Sequence, residues 1–262
     1  MDGPDVLELL AEVAGRIRTA LGQLSDWGPS GLRPGQYRSD VVADDAACEV
    51  LLAAGLGVLS EESGRSGPPD AALVAVIDPV DGSTNASRGI PWYATSICVL
   101  DREGPLAAHV VNQATGRCYE AVRGRGATRD GLPICPSGAT SLRRAVVGLS
   151  GYPPEHLGWR QYRALGAAAL DLCAVADGTF DGYVDCGPDG HGVWDYLAGV
   201  LVCEEAGAAV AEAGGGDLVV LDHAARREPV AAATPELLGS LVAARREAFG
   251  PPGRSAGVPG AR

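Results

Sequence analysis

The stretch LVAVIDPVDGSTN, from Leu73 to Asn85, places two carboxylates directly after a run of apolar residues. The apolar run predicts a buried β-strand, and Asp78 and Asp81 would lie at its carboxyl end, where α/β proteins place ligands. Gly82 and Ser83 would then begin a helix whose free N–H groups can bind a phosphate. The stretch therefore carries more oxygen ligands than a turn needs.

Two aspartates this close together predict a metal site. Packed carboxylates raise one another's pKa, and a divalent cation such as Mg²⁺ removes that repulsion. An Asx turn followed by a helix N-cap is the alternative interpretation. An EF-hand is excluded, because the twelfth residue counted from Asp78 is Gly89 instead of Glu. Phosphatases of the haloacid dehalogenase type do not fit either, since their aspartates stand one residue apart near the N-terminus.

The composition limits the classes of function that fit the chain. Its 262 residues, 46% of them hydrophobic, suit one large domain or two closely packed lobes. The formal net charge of −12 argues against nonspecific nucleic-acid binding, which needs a positive surface. The start MDGPDVLELL lacks the layout of a signal peptide, and no apolar run has the length of a membrane span. We expect a cytoplasmic protein with neither membrane nor nucleic acid as a partner.

The seven cysteines are scattered along the chain. None forms a CxxC pair, and no histidine stands at the spacing of a zinc motif. The pattern predicts free thiols in a reducing compartment and gives only poor support to a zinc site.

Hydrophobic periodicity divides the chain into two parts. Helices are predicted at 5–21 and 41–55, followed by short strands in ALVAVI, ATSICVL, LAAHVV and RCYEAV. Beyond residue 140 strands alternate with helices, and Thr234 caps a last helix. This order predicts a layered α/β architecture with two sheets. We expect an N-terminal α+β lobe over 1–140, a C-terminal α/β lobe over 141–250 and a disordered tail over 251–262.

Further acids stand beside apolar runs elsewhere in the chain. Glu61 and Glu62 follow a short apolar run in LSEES, and Asp195 begins an apolar helix in GVWDYLAG. Taken separately, solvated loop acids and a helix-dipole partner explain them. Taken together, LSEES, IDPVDGSTN, GAAALDLCAVADGTFDGYVD and VWDYLAGVLVCEEAG resemble the inositol monophosphatase family in order and spacing, over roughly residues 5–245. Because all 21 basic residues are arginines and Ala and Gly are abundant, we expect a bacterial member.

The resemblance implies a fold and a set of metal ligands. The fold is the five-layer αβαβα sandwich of the inositol monophosphatase and fructose-1,6-bisphosphatase type, commonly a homodimer. The cofactor is Mg²⁺, as two or three ions. Glu61, Asp78 and the carbonyl of Val80 would hold the first ion, and Asp78, Asp81 and Asp195 the second. A third, weaker ion would bind near Glu61.

The resemblance also implies catalytic and substrate-binding residues. Ser83 and an upstream aspartate would orient the attacking water, with Glu61 as the third catalytic residue. That aspartate is Asp44 or Asp45, and the sequence VVAD favours Asp44. The substrate would be bound by Asp81, Gly82, Ser83, Ala168, Asp185 and Asp195.

The activity implied is hydrolysis of a small polyol or sugar phosphate by metal-activated water, with myo-inositol phosphate as the default substrate. Histidinol phosphate is the alternative, because its amine would suit Asp185 and Asp189. A 3′-phosphoadenosine phosphate phosphatase is less favoured, since no aromatic and basic adenine pocket is evident. A non-catalytic homologue would usually have lost a metal ligand, and none is lost here. His191 is expected as a solvated loop residue in the segment 186–192, which leaves the substrate open.

Overall fold

The computed structural model describes residues 1–250 and contains helices in three layers and strands in two sheets. The helices are α1 (Gly3–Gly22), α2 (Arg38–Ala53), α3 (Ser83–Arg88), α4 (Ala168–Ala176), α5 (Val193–Ala206) and α6 (Pro235–Phe249). The first sheet comprises β1 (Gly57–Ser60), β2 (Gly64–Ser66), β3 (Val74–Asp81), β4 (Ala94–Asp101), β5 (Gly104–Asn112), β6 (Cys118–Val122), β7 (Ala127–Arg129) and β8 (Leu132–Pro133). The second comprises β9 (Val146–Gly151), β10 (Gln161–Arg163), β11 (Gly182–Cys186), β12 (Ala209–Glu212) and β13 (Pro229–Ala232).

The elements stack in five layers, as predicted. Helices α1 and α2 pack on one face of the first sheet, and α5 packs on its other face. Helix α4 contacts β9 and β11 of the second sheet, while α6 covers the outer face of that sheet. The order is therefore helix, sheet, helix, sheet, helix, which confirms the αβαβα sandwich.

Each helix layer follows from its hydrophobic pattern. Helix α1 buries one stripe, formed by Val6, Leu10, Val13 and Ile17, against the first sheet. Helix α5 is buried on nearly all sides, from Val193 to Cys203, because it lies between the two sheets. A one-sided stripe is typical of an outer helix and an all-round apolar helix of an inner one.

Strand order in the first sheet is β2-β1-β3-β4-β5-β6-β7-β8, with β1 and β3 parallel and the other neighbours antiparallel. The second sheet has the order β10-β9-β11-β13-β12. The parallel pair β1–β3 matters for function, because the carboxyl ends of both strands meet at one edge.

Some boundaries differ from the prediction. Helix α2 begins at Arg38, three residues before the predicted start at residue 41. The short strands β2, β7, β8, β10 and β12 were not predicted, because two to four residues carry too little hydrophobic periodicity. They are held by backbone pairing with neighbouring strands. The two-lobe division stays a prediction, and residues 251–262 lie outside the described part of the chain. Within residues 1–250, no helix combines the length and apolar character that crossing a membrane would require.

Candidate active site

The parallel pairing of β1 and β3 brings the first two acids together. Ser60 pairs with Ile77, so Glu61 and Asp78 follow at the same edge of the sheet. The N–H of Glu61 donates to the carbonyl of Ile77 at 3.1 Å, which fixes the chain at this point. Acids that are 17 positions apart in sequence thus become neighbours.

Strand β3 is irregular where its two aspartates stand. Its pairing with β4 shifts register between Asp78 and Asp81. The N–H of Val80 donates to Asp78 Oδ1 at 2.9 Å, and the N–H of Ala169 donates to Asp81 Oδ2 at 2.7 Å. Each carboxylate is therefore oriented by a backbone donor, and Asp81 is joined to the start of helix α4.

Helix α5 supplies the last acid of this group. Asp195 lies in its first turn, where Oδ2 accepts a hydrogen bond from the N–H of Gly192 at 2.8 Å. Ligand oxygens of Glu61, Asp78 and Asp195 all lie within 4.8 Å of one another. These three residues and Asp81 form the acid cluster.

Burial and mutual repulsion raise the pKa values of three members of the acid cluster. Burial, followed by the charges of Asp195 and Glu62, raises the pKa of Glu61 to about 8. Burial and the charge of Asp195 raise the pKa of Asp81 to about 7, although the backbone donor at Ala169 opposes this. The pKa of Asp78 is also well above its usual value because of burial and its acidic neighbours. Acceptor-only oxygens of this kind fit a hard divalent cation such as Mg²⁺.

Gly82 connects β3 to helix α3 and cannot be replaced without strain. Its φ is +86°, a conformation that L side chains rarely adopt. A Cβ here would lie 3.0 Å from the carbonyl oxygen of Gly166 and 3.1 Å from that of Trp92. Close approach of three backbone segments therefore requires glycine at the turn that presents Ser83.

Two aspartates on helix α2 have different surroundings. Asp40 is 5% exposed and lines a cavity of about 350 Å³ together with Glu61 and Ser83. Burial raises the pKa of Asp40 to about 6, opposed by the hydrogen bond from the Tyr37 N–H. Asp44, one turn further along, instead accepts a hydrogen bond from the Ser60 hydroxyl.

The sequence interpretation did not consider Asp40, because it placed the start of the helix at residue 41, after Asp40. The sequence signal that could have identified Asp40 is its place in the first turn of a helix. Asp40 is the third residue of helix α2 and accepts a hydrogen bond from the Tyr37 N–H at 2.8 Å. An acid in the first turn of a helix is easily assigned to capping alone. Asp45 is exposed.

Asp185 lies at the end of β11, fully buried, and Ala168 begins helix α4. Asp185 Oδ1 accepts from the Gly187 N–H at 2.8 Å, whereas Oδ2 has no hydrogen-bond partner within residues 1–250. Burial raises the pKa of Asp185. A buried, unpaired acceptor at this place is suited to a hydroxyl donor from a ligand.

His191 is not the solvated residue that the sequence suggested. Its Nδ1 lies 3.2 Å from Asp195 Oδ2, and its Nε2 lies 3.1 Å from the Tyr183 hydroxyl and 3.7 Å from Asp185 Oδ1. Burial lowers the pKa of His191, but the hydrogen bond and charge of Asp195, with Asp185 and Asp81, outweigh it and raise it to about 9. The 186–192 segment therefore links the acid cluster to Asp185.

The cavity beside Glu61 is also lined by side chains from the loop before helix α2 and from His223. Arg33 and Gln36 both donate to Glu62 Oε2, so they hold the preceding loop against the end of β1. His223 Nε2 lies 3.2 Å from the carbonyl oxygen of Glu61. These groups surround the acid cluster on the side of Asp40.

A five-layer sandwich with carboxylates converging at the end of β3 defines a class of phosphoric monoester hydrolases. The chain belongs to one family of this class: the model of the inositol monophosphatase family matches residues 38–249. The family assignment and the enzyme class expected from the sequence are thus confirmed.

Individual relatives agree with this assignment. A fructose-1,6-bisphosphatase/inositol-1-monophosphatase of Archaeoglobus fulgidus is 35% identical over 229 residues, covering 83% of this chain and 88% of the relative. An inositol-1-monophosphatase of the bacterium Mesorhizobium japonicum is 34% identical and covers 81% and 86%, respectively. A solved structure from Pyrococcus horikoshii, described as having similarities to inositol-1 monophosphatase, has a TM-score of 0.79 at 25% identity, covering 92% and 96%.

Proposed function

We propose that this phosphatase is a Mg²⁺-dependent phosphomonoesterase acting on a small polyol or sugar phosphate. The observation that carries the proposal is the convergence of Glu61, Asp78 and Asp195, whose ligand oxygens lie within 4.8 Å of one another. Asp81 is buried, and its burial and the charge of Asp195 raise its pKa to about 7. Phosphoryl transfer depends mainly on positioning and charge neutralisation, which such a cluster can provide once cations are bound.

The donor set fits the ions that the family resemblance implies. The first ion would be held by Glu61, Asp78 and the Val80 carbonyl, the second by Asp78, Asp81 and Asp195, and a third by Glu61. Bound Mg²⁺ would lower the pKa of water and neutralise the charge that develops on the leaving oxygen. All side-chain donors in this set are carboxylates, the ligand type that Mg²⁺ prefers.

We assign the water-orienting acid to Asp40 in place of Asp44. Asp40 and Ser83 line the same cavity as Glu61. Asp44 is instead hydrogen-bonded to Ser60, a buried residue of β1. Asp40 and the Ser83 hydroxyl would orient the attacking water by hydrogen bonds. Asp44 would instead stabilise the end of β1, just before Glu61, through its hydrogen bond with Ser60.

The remaining residues would hold the substrate. The N–H groups of Gly82 and Ser83 would receive the phosphate, in a turn that only glycine can form. The free Oδ2 of Asp185 would accept a hydrogen bond from a substrate hydroxyl. Ala168 at the start of helix α4 would line the same pocket, and its small side chain leaves room for a ring.

The contacts proposed for Asp185 and Ala168, together with the names of the relatives, support a polyhydroxy substrate. Names of the relatives favour inositol monophosphate and fructose 1,6-bisphosphate, both phosphorylated polyhydroxy compounds. Histidinol phosphate is the second candidate, because its amine could bind Asp185 in place of a hydroxyl. An adenosine bisphosphate and a non-catalytic role are less favoured. The homodimer, the cytoplasmic location and the absence of a nucleic-acid partner stay predictions.

Phosphate release from a panel of monoesters tests the proposal. The panel contains myo-inositol 1-phosphate, fructose 1,6-bisphosphate, histidinol phosphate and 3′-phosphoadenosine 5′-phosphate, each with Mg²⁺ or with EDTA. We expect turnover of a polyol or sugar phosphate that requires Mg²⁺. Turnover that survives EDTA, or no turnover of any member, would contradict the proposed function. Preference for histidinol phosphate would replace the polyol assignment alone.

A further inference from the structure

A second group of potential metal ligands lies on the first sheet, away from the acid cluster. His109 on β5 is directly opposite Glu120 on β6, and Cys118 is two residues before Glu120 on the same strand. In antiparallel strands, directly opposite residues and alternate residues share a face of the sheet. His109, Cys118 and Glu120, here called the thiol cluster, therefore project from one face.

That face is the one covered by helix α1. Ala107 and Val122 belong to the hydrophobic core that includes Val6 and Leu10 of α1. His109 is 4% exposed, whereas Cys118 and Glu120 are partly exposed. The cluster is thus anchored in the core at one end and reachable from solvent at the other.

Distances within the thiol cluster are close to those of ligands around one ion. His109 Nδ1 lies 3.2 Å from Glu120 Oε1, and Cys118 Sγ lies 3.6 Å from each ring nitrogen of His109. In a tetrahedral zinc site, sulfur and nitrogen ligands are about 3.5 Å apart and nitrogen and oxygen ligands about 3.3 Å apart. One ligand atom from each residue lies within 4.8 Å of the others, so small side-chain rotations would complete the set.

The histidine has no other role that the structure reveals. Among residues 1–250, the ring nitrogens of His109 form hydrogen bonds with the Glu120 carboxylate and the Cys118 thiol and with no backbone carbonyl. A buried imidazole is usually fixed by a structural acceptor, and here both of its partners are potential metal ligands.

We propose that His109, Cys118 and Glu120 form a binding site for Zn²⁺ or a similar borderline-soft ion, separate from the Mg²⁺ site. Nitrogen, sulfur and carboxylate oxygen are the ligands that zinc prefers, and a thiolate disfavours Mg²⁺. On binding, the Cys118 thiol loses its proton to solvent as the metal–sulfur bond forms. Water takes the fourth position. The ion joins β5 to β6 beneath helix α1.

Cobalt spectroscopy tests this site directly. Metal-free full-length protein is titrated with Co²⁺, whose thiolate complexes give a sulfur-to-metal charge-transfer band that carboxylate sites do not give. We expect the intensity of the band to correspond to one thiolate-bound Co²⁺ per chain at saturation. The band should disappear when Zn²⁺ is added. Because the acid cluster contains no sulfur, binding there does not produce the signal.

Variants assign the signal to residues. Cys118→Ser should abolish the band, and Glu120→Gln should weaken Co²⁺ binding about 10-fold or more. Cys135→Ser, which alters an exposed cysteine, should leave the band unchanged. Asp78→Asn should also keep it, because that residue lies in the acid cluster. Circular dichroism establishes that each variant is folded.

Thermal unfolding provides a second measurement. Zn²⁺ should raise the melting temperature of Asp78→Asn protein more than that of the double variant Asp78→Asn, Cys118→Ser, since a ligand stabilises only the state that binds it. Absence of a thiolate band in the unaltered protein, or a band that persists in Cys118→Ser, would overturn the proposal. Neither result would affect the proposed phosphatase activity.

Discussion

The acid cluster and the thiol cluster lie on the same sheet but are built in opposite ways. The acid cluster draws Glu61, Asp78 and Asp195 from separate segments, and every member can only accept hydrogen bonds when ionised. The thiol cluster takes its members from two adjacent strands, and His109 can donate to Glu120. The first cluster repels itself, whereas the second is internally paired.

This difference bears on how strongly each site depends on a cation. Without metal, the acid cluster stays partly protonated, as the raised pKa values of Glu61 and Asp81 indicate. In the thiol cluster, the Glu120 pKa is lowered by its hydrogen bond with His109. A cation thus relieves repulsion in one case and competes with an existing hydrogen bond in the other. We expect metal to be required at the first site and optional at the second.

The largest effect is expected from Asp78→Asn. Removing one negative ligand should lower kcat/KM by about 1000-fold or more, because metal ions contribute several kcal/mol to charge stabilisation. The melting temperature of the metal-free variant should not fall, since one repelling charge is lost. Steady-state phosphate release and thermal unfolding measure the two quantities. Asp45→Asn, at an exposed position of helix α2, is the control. A near-normal rate for Asp78→Asn would disprove the metal assignment.

The next effect distinguishes two aspartates one helical turn apart. Asp40→Asn should lower kcat by about 100-fold or more, the usual contribution of a positioned acid or base. Asp44→Asn should lower kcat less than about 5-fold, because it contacts Ser60 instead of the cavity. Parallel kinetics of the two variants provide the measurement. The reverse ranking would restore Asp44 as the water-orienting residue.

A smaller effect on stability is expected from Gly82→Ala. The positive φ and the two close carbonyl oxygens should together lower the free energy of unfolding by about 2–4 kcal/mol. Gly89→Ala is the matched control, since Gly89 also has a positive φ of +70°, but no atom of the described residues 1–250 lies within 4 Å of a Cβ there. It should cost about 1 kcal/mol. Urea unfolding compares them, and equal losses would show that close packing around Gly82 contributes nothing.

The smallest effect concerns pH. Unfolded carboxyl groups are ionised at both pH 5 and pH 8, whereas Asp81 and Glu61 in the folded metal-free protein have pKa values of about 7 and about 8. The folded state therefore binds more protons, so stability should fall as pH rises from 5 to 8. We expect the free energy of unfolding to fall by about 1.4 kcal/mol or more over this range, which is the energy of a one-unit shift in a single pKa.

Urea unfolding in EDTA at the two pH values measures this loss. Added Mg²⁺ should stabilise the protein more at pH 8 than at pH 5, because ligands must be deprotonated. Asp81→Asn should reduce the pH dependence. If the metal-free protein were more stable at pH 8, repulsion within the acid cluster would not control its stability.

Much of the fold was predictable because its signals are local. The apolar stripe of α1, the buried run before Asp78 and the Thr234 cap each depend on residues close in sequence. The five-layer arrangement came from the resemblance of whole motifs, and the structure confirmed it. Short strands such as β10 were missed because three exposed residues have no periodicity to detect.

Only the part of the site that lies within one sequence segment was predictable. The motif IDPVDGSTN identified the carboxylates and the glycine turn, since their chemistry is concentrated in one segment. Asp40, the acid proposed to orient the water, was not considered, because its position beside Glu61 and Ser83 depends on where the start of helix α2 lies in the fold. His191 was underestimated for a similar reason, because its partners Asp185 and Asp195 lie on a strand and a helix that meet only in the fold.

The sequence by itself determined that a buried strand ends in carboxylates and is followed by a glycine and hydroxyl groups, because a strand and its turn are encoded by neighbouring positions. Tertiary structure alone decided which acid faces the cavity and that His109 meets Cys118. Those contacts depend on helix docking and on the pairing of β5 with β6. A shift of one residue in that pairing would have turned their side chains to opposite faces.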